Sequence, residues 1–211
     1  MLTILFEDDD IVAVEKPSGV ATIPERDLSK ESVLSILEGR LGMKLFIVHR
    51  LDKEASGVVL FAKNAIAHRL LNKQFFERTV EKTYAALVLG RVQDDRGVID
   101  APIRQFGSGR MGVDAVRGKP SLTRYEVVQR FEATTLINAF PSTGRRHQIR
   151  VHCYNLGNPI AGDPFYGKKN VQERYSRLML HAMRISFTSV DGQRITVESE
   201  VPREFYLQGL R

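Results

Sequence analysis

With 211 residues, 43% of them hydrophobic and 27% charged, the chain has the composition of a folded domain with a packed core, which excludes a disordered protein. The net charge of +6 favours a polyanionic partner, although many proteins without such a partner share it. Cys153 is the single cysteine, which excludes an internal disulfide, and neither a signal peptide nor a membrane-spanning apolar run is present, so we predict a cytoplasmic protein without membrane contact.

The first half of the chain alternates short apolar runs with two helical patterns. Residues 2–6 and 11–15 predict two strands, and the second ends at the turn Lys16–Gly19. The apolar spacing of Ser32–Leu41, followed by Gly42, predicts a first helix. The remaining predicted elements of this half are strands at residues 46–49, 57–62 and 82–92 and a helix from Asn64 to about Glu77.

In the second half, Gln105–Pro120 is rich in glycine and arginine, and we predict a mobile, basic surface loop there. A helix is predicted from Arg145 to Asn155. Strands are predicted at residues 122–128, 134–140, 179–187 and 195–200. Because strands outnumber helices without alternating with them, we predict an α+β fold with a mixed, mostly antiparallel sheet in a single domain, residues 1–211.

Four of the five histidines, His49, His147, His152 and His181, lie in polar stretches that contain arginine. The spacing of five residues between His147 and His152 is not that of a His-Glu-x-x-His site, so we predict no metal. Buried, hydrogen-bonded histidines that shape a polar cleft are the better interpretation.

Asp52 lies in the connection His49–Gly57 between two apolar strands, where a rigid scaffold can present a reactive group. Its neighbours Arg50 and Lys53 would keep its carboxylate ionised, as a base or a nucleophile must be. From these residues alone, a turn aspartate that only hydrogen-bonds its own backbone is the more common interpretation.

The positive charge is concentrated in Pro141–Arg184, where eight basic residues face two acidic ones. Within it, Thr143–His152 would place the amides of Thr143–Arg146 at a helix N-terminus, where an anion can bind, and arginine suits carboxylate or phosphate. A solvated basic helix is an equally good interpretation.

Taken together, these segments resemble the motifs of the RluA-like family of RNA pseudouridine synthases. His49–Asp52 with Ser56-Gly57 resembles the central motif, Lys82–Tyr84 the tyrosine motif and Thr143–His152 the arginine motif. Supporting matches, in family order, are Glu7-Asp8-Asp9, Lys16–Gly19, Gly118-Lys119-Pro120, Gly162–Gly167 and Leu180-His181-Ala182.

The resemblance implies the pseudouridine synthase fold with a central active-site cleft, and the isomerisation of uridine in RNA without a cofactor or metal. It implies that Asp52 is the nucleophile, that Tyr84 packs on the target base and that Arg145 pairs with the aspartate. Leu180, or its neighbour Leu178, would line the base pocket. Such a pocket must exclude water, and an opposing arginine would keep a carboxylate charged inside it.

The partner that the resemblance implies is a ribosomal RNA or tRNA stem-loop, bound by a monomer. Ala55 stands where the family usually has threonine. Because Met1–Asp10 resembles the first catalytic strand and turn, we expect a member of the short branch of the family, without the N-terminal S4-type domain of many relatives. A catalytically silent RNA-binding protein and a base-excising N-glycosidase are the alternative functions.

Eight residues are predicted to bind the substrate. Four of them are His49, Arg50, Leu180 and His147. The other four, which would bind through phosphates, are Arg146, Arg150, Lys168 and Lys169.

Overall fold

The computed structural model describes residues 2–25, 27 and 29–207, which fall into two compact units. The first comprises Met1–Lys82 and Ala182–Glu200, and the second Thr83–His181 and Val201–Arg211. The prediction of a single domain stays a prediction. In the part of the chain that the structure describes, no helix is long and apolar enough to cross a membrane.

Twelve strands and four α-helices make up the described residues, with a short 3-10 helix at Arg203–Phe205. In chain order they are β1 (Thr3–Glu7), β2 (Ile11–Lys16), α1 (Val33–Leu41), β3 (Phe46–Ile47), β4 (Ser56–Ala62), α2 (Ala65–Glu77), β5 (Glu81–Leu89), β6 (Arg96–Asp100), β7 (Ile103–Gln105), β8 (Met111–Val113), β9 (Leu122–Arg130), β10 (Thr134–Pro141), α3 (Gln148–Asn155), α4 (Lys169–Gln172), β11 (Leu180–Thr188) and β12 (Arg194–Glu198).

The first unit is built on antiparallel strands in the order β1, β2, β4, β11, with β12 paired to β11. Every residue of β4 is buried, so this strand lies at the centre of the unit. Leu60 of β4, Leu71 of α2 and Phe187 of β11 belong to one apolar cluster. The predicted strand at residues 46–49 is shorter than expected, because only Phe46–Ile47 pairs with β4.

Both predicted helices of this unit are confirmed. Ser32 caps α1 by accepting a hydrogen bond from the amide of Ser35, and Gly42 ends that helix in the left-handed conformation. Asn64 caps α2 by accepting from the amides of Ile66 and Ala67. Each cap satisfies helix-end amides that would otherwise lack a partner.

In the second unit, β5, β10, β9 and β6 pair antiparallel in that order. Helix α3 packs on this sheet and on β8. Together with the first unit, this confirms the α+β class and its mostly antiparallel sheet.

The prediction of a mobile loop at Gln105–Pro120 is wrong for residues 105–113. Strands β7 and β8 pair antiparallel, with Gln105 opposite Met111. The amide of Gly109 donates to the carbonyl of Phe106 at 2.8 Å, which closes the connecting turn. Residues 103–113 therefore form a β-hairpin, and the arginine side chains of this segment extend from a hydrogen-bonded backbone.

The predicted helix from Arg145 to Asn155 is shorter, because α3 begins at Gln148. His147 precedes it in the left-handed conformation, with φ 55°, and interrupts the helical path. The amides of Thr143–Arg146 therefore do not form a helix N-terminus, which removes the basis for the anion site considered there. Arg146 is exposed, whereas Arg150 within α3 is buried.

Candidate functional site

The segment around Asp52 is held by a buried lysine at the end of β2. The Lys16 side chain is fully buried, and its ammonium donates to the carbonyls of Pro17 at 2.8 Å, Val20 at 2.7 Å and Lys53 at 2.9 Å. An ammonium has three donors, and a buried one needs each of them satisfied. Lys16 therefore fixes the residue that directly follows Asp52.

Further hydrogen bonds hold the other neighbours of Asp52. The Thr22 hydroxyl lies 3.2 Å from the amide of Leu51, from which it accepts, and donates to the carbonyl of the same residue at 3.1 Å. The Ser18 hydroxyl donates to the carbonyl of Glu54 at 2.6 Å. The backbone on both sides of the half-buried Asp52 is thus anchored to the segment that follows β2, which limits the positions open to its carboxylate.

The cations expected beside Asp52 differ in their surroundings. Arg50 is exposed, and Lys53 forms an ion pair with Glu25 at 2.5 Å. Lys53 therefore shares its positive charge with Glu25.

His49 anchors the start of the Asp52 segment to β4 and α2. Its Nε2 accepts a hydrogen bond from the amide of Leu60 at 3.0 Å, and its ring stacks on Phe75 with centroids 5.1 Å apart. Burial, and to a lesser degree the positive charge of Lys82, lowers the pKa of His49 to about 3. His49 is therefore a neutral residue that joins the loop to β4, and its predicted contact with substrate stays a prediction.

Replacing His49 by Gln is expected to change how stability depends on pH. The pKa of His49 in the native protein lies below the ordinary value of 6.5. Below pH 6.5 the unfolded chain therefore binds a proton at this histidine that the native protein does not bind. Because of this difference, the unfolding free energy falls as the pH drops towards 3. Glutamine offers an acceptor at a similar position but does not titrate. Between pH 6 and 5 the wild type should lose about 1 kcal/mol of unfolding free energy more than His49→Gln. Urea unfolding measures this, and equal losses would contradict it; His68→Gln is the control.

The tyrosine motif lies at the start of β5. Burial lowers the pKa of Lys82 to about 8, so this ammonium is easier to deprotonate than an exposed one. Tyr84 is half-buried and lies opposite Ala139 of β10. The role of Tyr84 stays a prediction.

Gln148, the first residue of α3, organises the arginine segment. Its Oε1 accepts from the Thr143 hydroxyl at 2.6 Å and from the amide of Arg145 at 3.0 Å. Its Nε2 donates to the Leu122 carbonyl and to the Thr123 hydroxyl, both at 3.0 Å. The buried amide therefore uses four hydrogen bonds to attach the backbone of Arg145 to β9, although Arg145 itself is only half-buried.

Gln148→Leu is expected to lower both stability and activity. Leucine matches the volume of glutamine but leaves these groups without partners, and each unsatisfied buried group costs about 1–3 kcal/mol. We expect a loss of roughly 2–4 kcal/mol in urea unfolding and reduced turnover at temperatures where the variant is folded. Gln129→Leu, at an exposed position of β9, is the matched control. Wild-type stability in Gln148→Leu would show that this network does not hold the segment.

Arg150 does not lie where a phosphate could reach it, which corrects its predicted role. Its side chain is fully buried, and its Nε and Nη2 donate to the two carboxylate oxygens of Asp163, each at 2.8 Å. Asp163 also accepts from the amides of Phe165 and Tyr166. A two-pronged pair of this kind satisfies both charges, so Arg150 connects α3 to the segment before α4.

The other predicted substrate-binding residues of this unit are in varied surroundings. Arg146, Lys168 and Lys169 are exposed, and Lys169 lies 3.6 Å from Glu173 in a surface pair of small energetic value. His147 Nδ1 lies 3.0 Å from the Tyr166 hydroxyl. Leu180 and Leu178 are buried at the start of β11 and just before it. Their contacts with RNA stay predictions.

His152 fits the interpretation of buried, hydrogen-bonded histidines. It is fully buried and bonds to Thr123 at 2.8 Å and to the Ala101 carbonyl at 3.0 Å, and burial lowers its pKa. His181 is also buried and packs edge-on against Phe205. Among the described residues, no group of three or more His, Cys, Asp or Glu side chains is arranged to hold a metal ion.

Sequence reasoning missed Lys16, Thr22, Gln148 and Asp163 as residues that position the site. Lys16, Gln148 and Asp163 lie inside segments that resemble family motifs, but the resemblance assigns none of them a role. A signal was present, since a polar residue that ends a buried strand or starts a buried helix needs internal partners. Those partners are distant in the sequence, as Lys16 and Lys53 are, and only the fold reveals them.

Comparison with known proteins identifies the family to which the chain is similar. Residues 10–155 match the family described as RNA pseudouridylate synthase. The chain is 38% identical to the ribosomal large subunit pseudouridine synthase D of Nitrosomonas europaea, over all of the chain and 65% of that relative, so it spans slightly less than two thirds of it. It is 42% identical to the dual-specificity RNA pseudouridine synthase RluA of Vibrio vulnificus, over 87% of the chain and 76% of the relative.

A solved structure gives the same result. The human protein named RNA Pseudouridylate Synthase Domain Containing 1 superposes on this chain with a TM-score of 0.82 at 31% sequence identity. The match covers 95% of this chain and 83% of the human one. The family match extends over more than half of the chain and includes Asp52, Tyr84 and Arg145. The chain belongs to the RNA pseudouridylate synthase family.

Proposed function

We propose that the protein is an RNA pseudouridine synthase that isomerises uridine in RNA, with Asp52 as its nucleophile. The observation that carries this proposal is the anchoring of the Asp52 segment by Lys16, Thr22 and Ser18 in a chain of this family. A carboxylate that must meet one carbon atom of a substrate needs such a fixed backbone, because small displacements slow covalent chemistry.

The reaction rearranges bonds without any net gain or loss of atoms. The bond between ribose C1′ and uracil N1 breaks, the uracil turns, and a bond forms between C1′ and C5. The proton on C5 is then lost and N1 gains one. Asp52 forms a covalent adduct, on the ribose or on the uracil ring, that lets the base turn without escaping, and the bond to Asp52 breaks again before the product leaves.

The remaining roles follow the resemblance. Tyr84 packs on the target base and assists removal of the C5 proton, Leu180 lines the base pocket, and Arg145 is the arginine that the family pairs with its nucleophile. The Gln148 hydrogen bonds support the role of Arg145, because they fix its backbone. The target base must leave its stack, at a cost of a few kcal/mol, which phosphate contacts from Arg146, Lys168 and Lys169 can offset.

We propose large-subunit ribosomal RNA as the substrate, since one of the relatives carries that RNA in its name. A tRNA stem-loop is the second substrate to test, because another relative is named as acting with dual specificity. We further propose that the protein is cytoplasmic and acts as a monomer without a metal or cofactor.

Pseudouridine mapping tests the function directly. Total RNA from cells with and without the protein is treated with a carbodiimide and read by reverse-transcription stops. We expect one or more stops to vanish on deletion and to return with wild type but not with Asp52→Asn. Unchanged stops, together with inactivity of the purified protein on ribosomal RNA and tRNA transcripts, would favour a silent RNA-binding protein. Release of free uracil would indicate an N-glycosidase.

A further inference from the structure

We infer that a cavity between the β7–β8 hairpin and α3 binds an unpaired nucleotide of the RNA, at a position other than the target uridine. This cavity, which we call the hairpin cavity, measures about 640 Å³. That volume lies within the roughly 300–1,000 Å³ typical of ligand sites. The inference rests on the proposed function and adds a second contact to its substrate.

The walls of the hairpin cavity suit a flat ring. Tyr154 of α3 and Phe106 of the hairpin line it and are 47% and 37% exposed. The Arg104 guanidinium lies 4.3 Å from the centre of the Phe106 ring, so Tyr154 offers the more accessible ring. Tyr166 also lines the cavity and is buried, with its ring centroid 5.8 Å from that of Tyr154. Every nucleobase can stack on an aromatic ring, which makes such surfaces common in proteins that bind single-stranded RNA.

Arg110 brings positive charge to these rings. Its guanidinium lies 4.9 Å from the centre of the Tyr166 ring and 5.5 Å from that of Tyr154. No carboxylate is among the lining residues, all of which the structure describes; Ser108 and Asn155 add polar groups. A site with one arginine, aromatic rings and no acid fits a base that is joined to a phosphate.

The charge of the neighbouring chain favours a polyanion over a free small molecule. Residues 103–120 hold four basic residues and one acidic residue, Asp114. Arg104 pairs with Asp114 at 2.6 Å, whereas Arg117 and Lys119 are exposed. These two cations can contact phosphates on either side of a bound nucleotide.

Hydrogen bonds fix the buried wall of the hairpin cavity before anything binds. The Tyr166 hydroxyl donates to the Met111 carbonyl at 3.2 Å and lies 3.0 Å from His147 Nδ1. The Tyr166 carbonyl accepts from Gln172 at 2.8 Å. Ordering costs on binding are therefore small. His147 lies two residues after Arg145, so the cavity is joined to the arginine segment.

The test measures RNA affinity in the full chain carrying Asp52→Asn, which prevents turnover. Two fluorescent probes are used: decauridine, which is unpaired, and a short, fully paired RNA duplex. Tyr154→Ala should weaken decauridine binding by roughly five- to a hundredfold, the range found for loss of one stacked base, and change duplex binding by less than about twofold. Tyr154→Phe should restore the wild-type affinity.

Matched variants separate stacking from charge and from unfolding. Tyr206→Ala, at 48% exposure and outside the cavity, should leave binding of both probes unchanged. Arg110→Lys keeps the charge but not the planar group, and should weaken decauridine binding less than Arg110→Ala does. Thermal melting confirms that each variant is folded.

Turnover on ribosomal RNA, measured with Asp52 intact, distinguishes the two proposals. If the wild type isomerises uridine and Tyr154→Ala raises KM with kcat kept, the inference holds. Wild-type affinity for decauridine in both Tyr154→Ala and Arg110→Ala would overturn it, as would equal weakening of decauridine and duplex binding. A wild type that is inactive on both ribosomal RNA and tRNA transcripts would instead refute the proposed function.

Discussion

Asp52→Asn is expected to abolish isomerisation while the protein stays folded and binds RNA. The amide has nearly the same shape as the carboxylate, so the hydrogen bonds of Lys16, Thr22 and Ser18 to the adjacent backbone can persist. An amide is not a competent nucleophile, and loss of a covalent nucleophile lowers turnover by at least about a thousandfold. Single-turnover assays on ribosomal RNA transcripts measure the effect.

Asp9→Asn is the matched control for this variant, because Asp9 is an exposed aspartate in the turn between β1 and β2. It should retain wild-type turnover. RNA affinity should change little in either variant, since binding rests on basic residues elsewhere. Turnover by Asp52→Asn within about tenfold of wild type would remove Asp52 as nucleophile, since losing a covalent nucleophile costs far more.

Arg150→Met is expected to cost about 3–5 kcal/mol of unfolding free energy, the usual result of removing one partner of a buried ion pair. Methionine leaves the Asp163 carboxylate buried with only backbone donors. Asp163→Asn should be similarly harmful, because it removes the negative charge that pairs with the Arg150 guanidinium. The double variant Arg150→Met/Asp163→Asn should be less destabilised than the sum of the single variants, since the two groups interact directly.

Urea unfolding of the four proteins gives the coupling energy, and Arg146→Met is the control, because Arg146 is exposed in the same segment. The salt dependence of RNA binding provides the second readout. An Arg150→Met protein with wild-type stability, weaker RNA binding and a smaller salt slope would mean that Arg150 contacts phosphate after all.

The elements that the sequence predicted well are those with local signals. The two capped helices follow directly from Ser32, Gly42 and Asn64, because each cap forms its hydrogen bonds with residues no more than four positions away. The strand pair β11 and β12 follows from two apolar runs on either side of the turn Asp191-Gly192.

What the sequence could not predict depends on distant partners. Arg150 was interpreted as a surface cation because its neighbours are basic, yet its partner Asp163 lies thirteen residues away across a turn. The glycines of Gln105–Pro120 indicated flexibility, but two of them allow close packing. A Cβ at Gly112 would lie 2.8 Å from the Phe106 ring, and one at Gly118 only 2.4 Å from the Asp114 carbonyl.

The candidate site shows the same contrast between residues that the sequence identifies and residues whose role depends on distant partners. Asp52, Tyr84 and Arg145 could be named because three motifs resemble those of one family. The residues that hold their backbones could not, because a buried lysine or glutamine looks like any other polar residue until its acceptors are known. The proposed roles therefore combine family resemblance with contacts that only the fold supplies.

The measurement that tests the central claim most directly is tritium release from ribosomal RNA transcripts labelled at uridine C5. Forming the C5 glycoside expels that label, so the purified wild-type protein should release tritium in step with the pseudouridine found by nucleoside chromatography, and Asp52→Asn should release none. Wild-type protein that binds the transcripts, yet releases neither tritium nor uracil from ribosomal RNA or tRNA, would contradict the account.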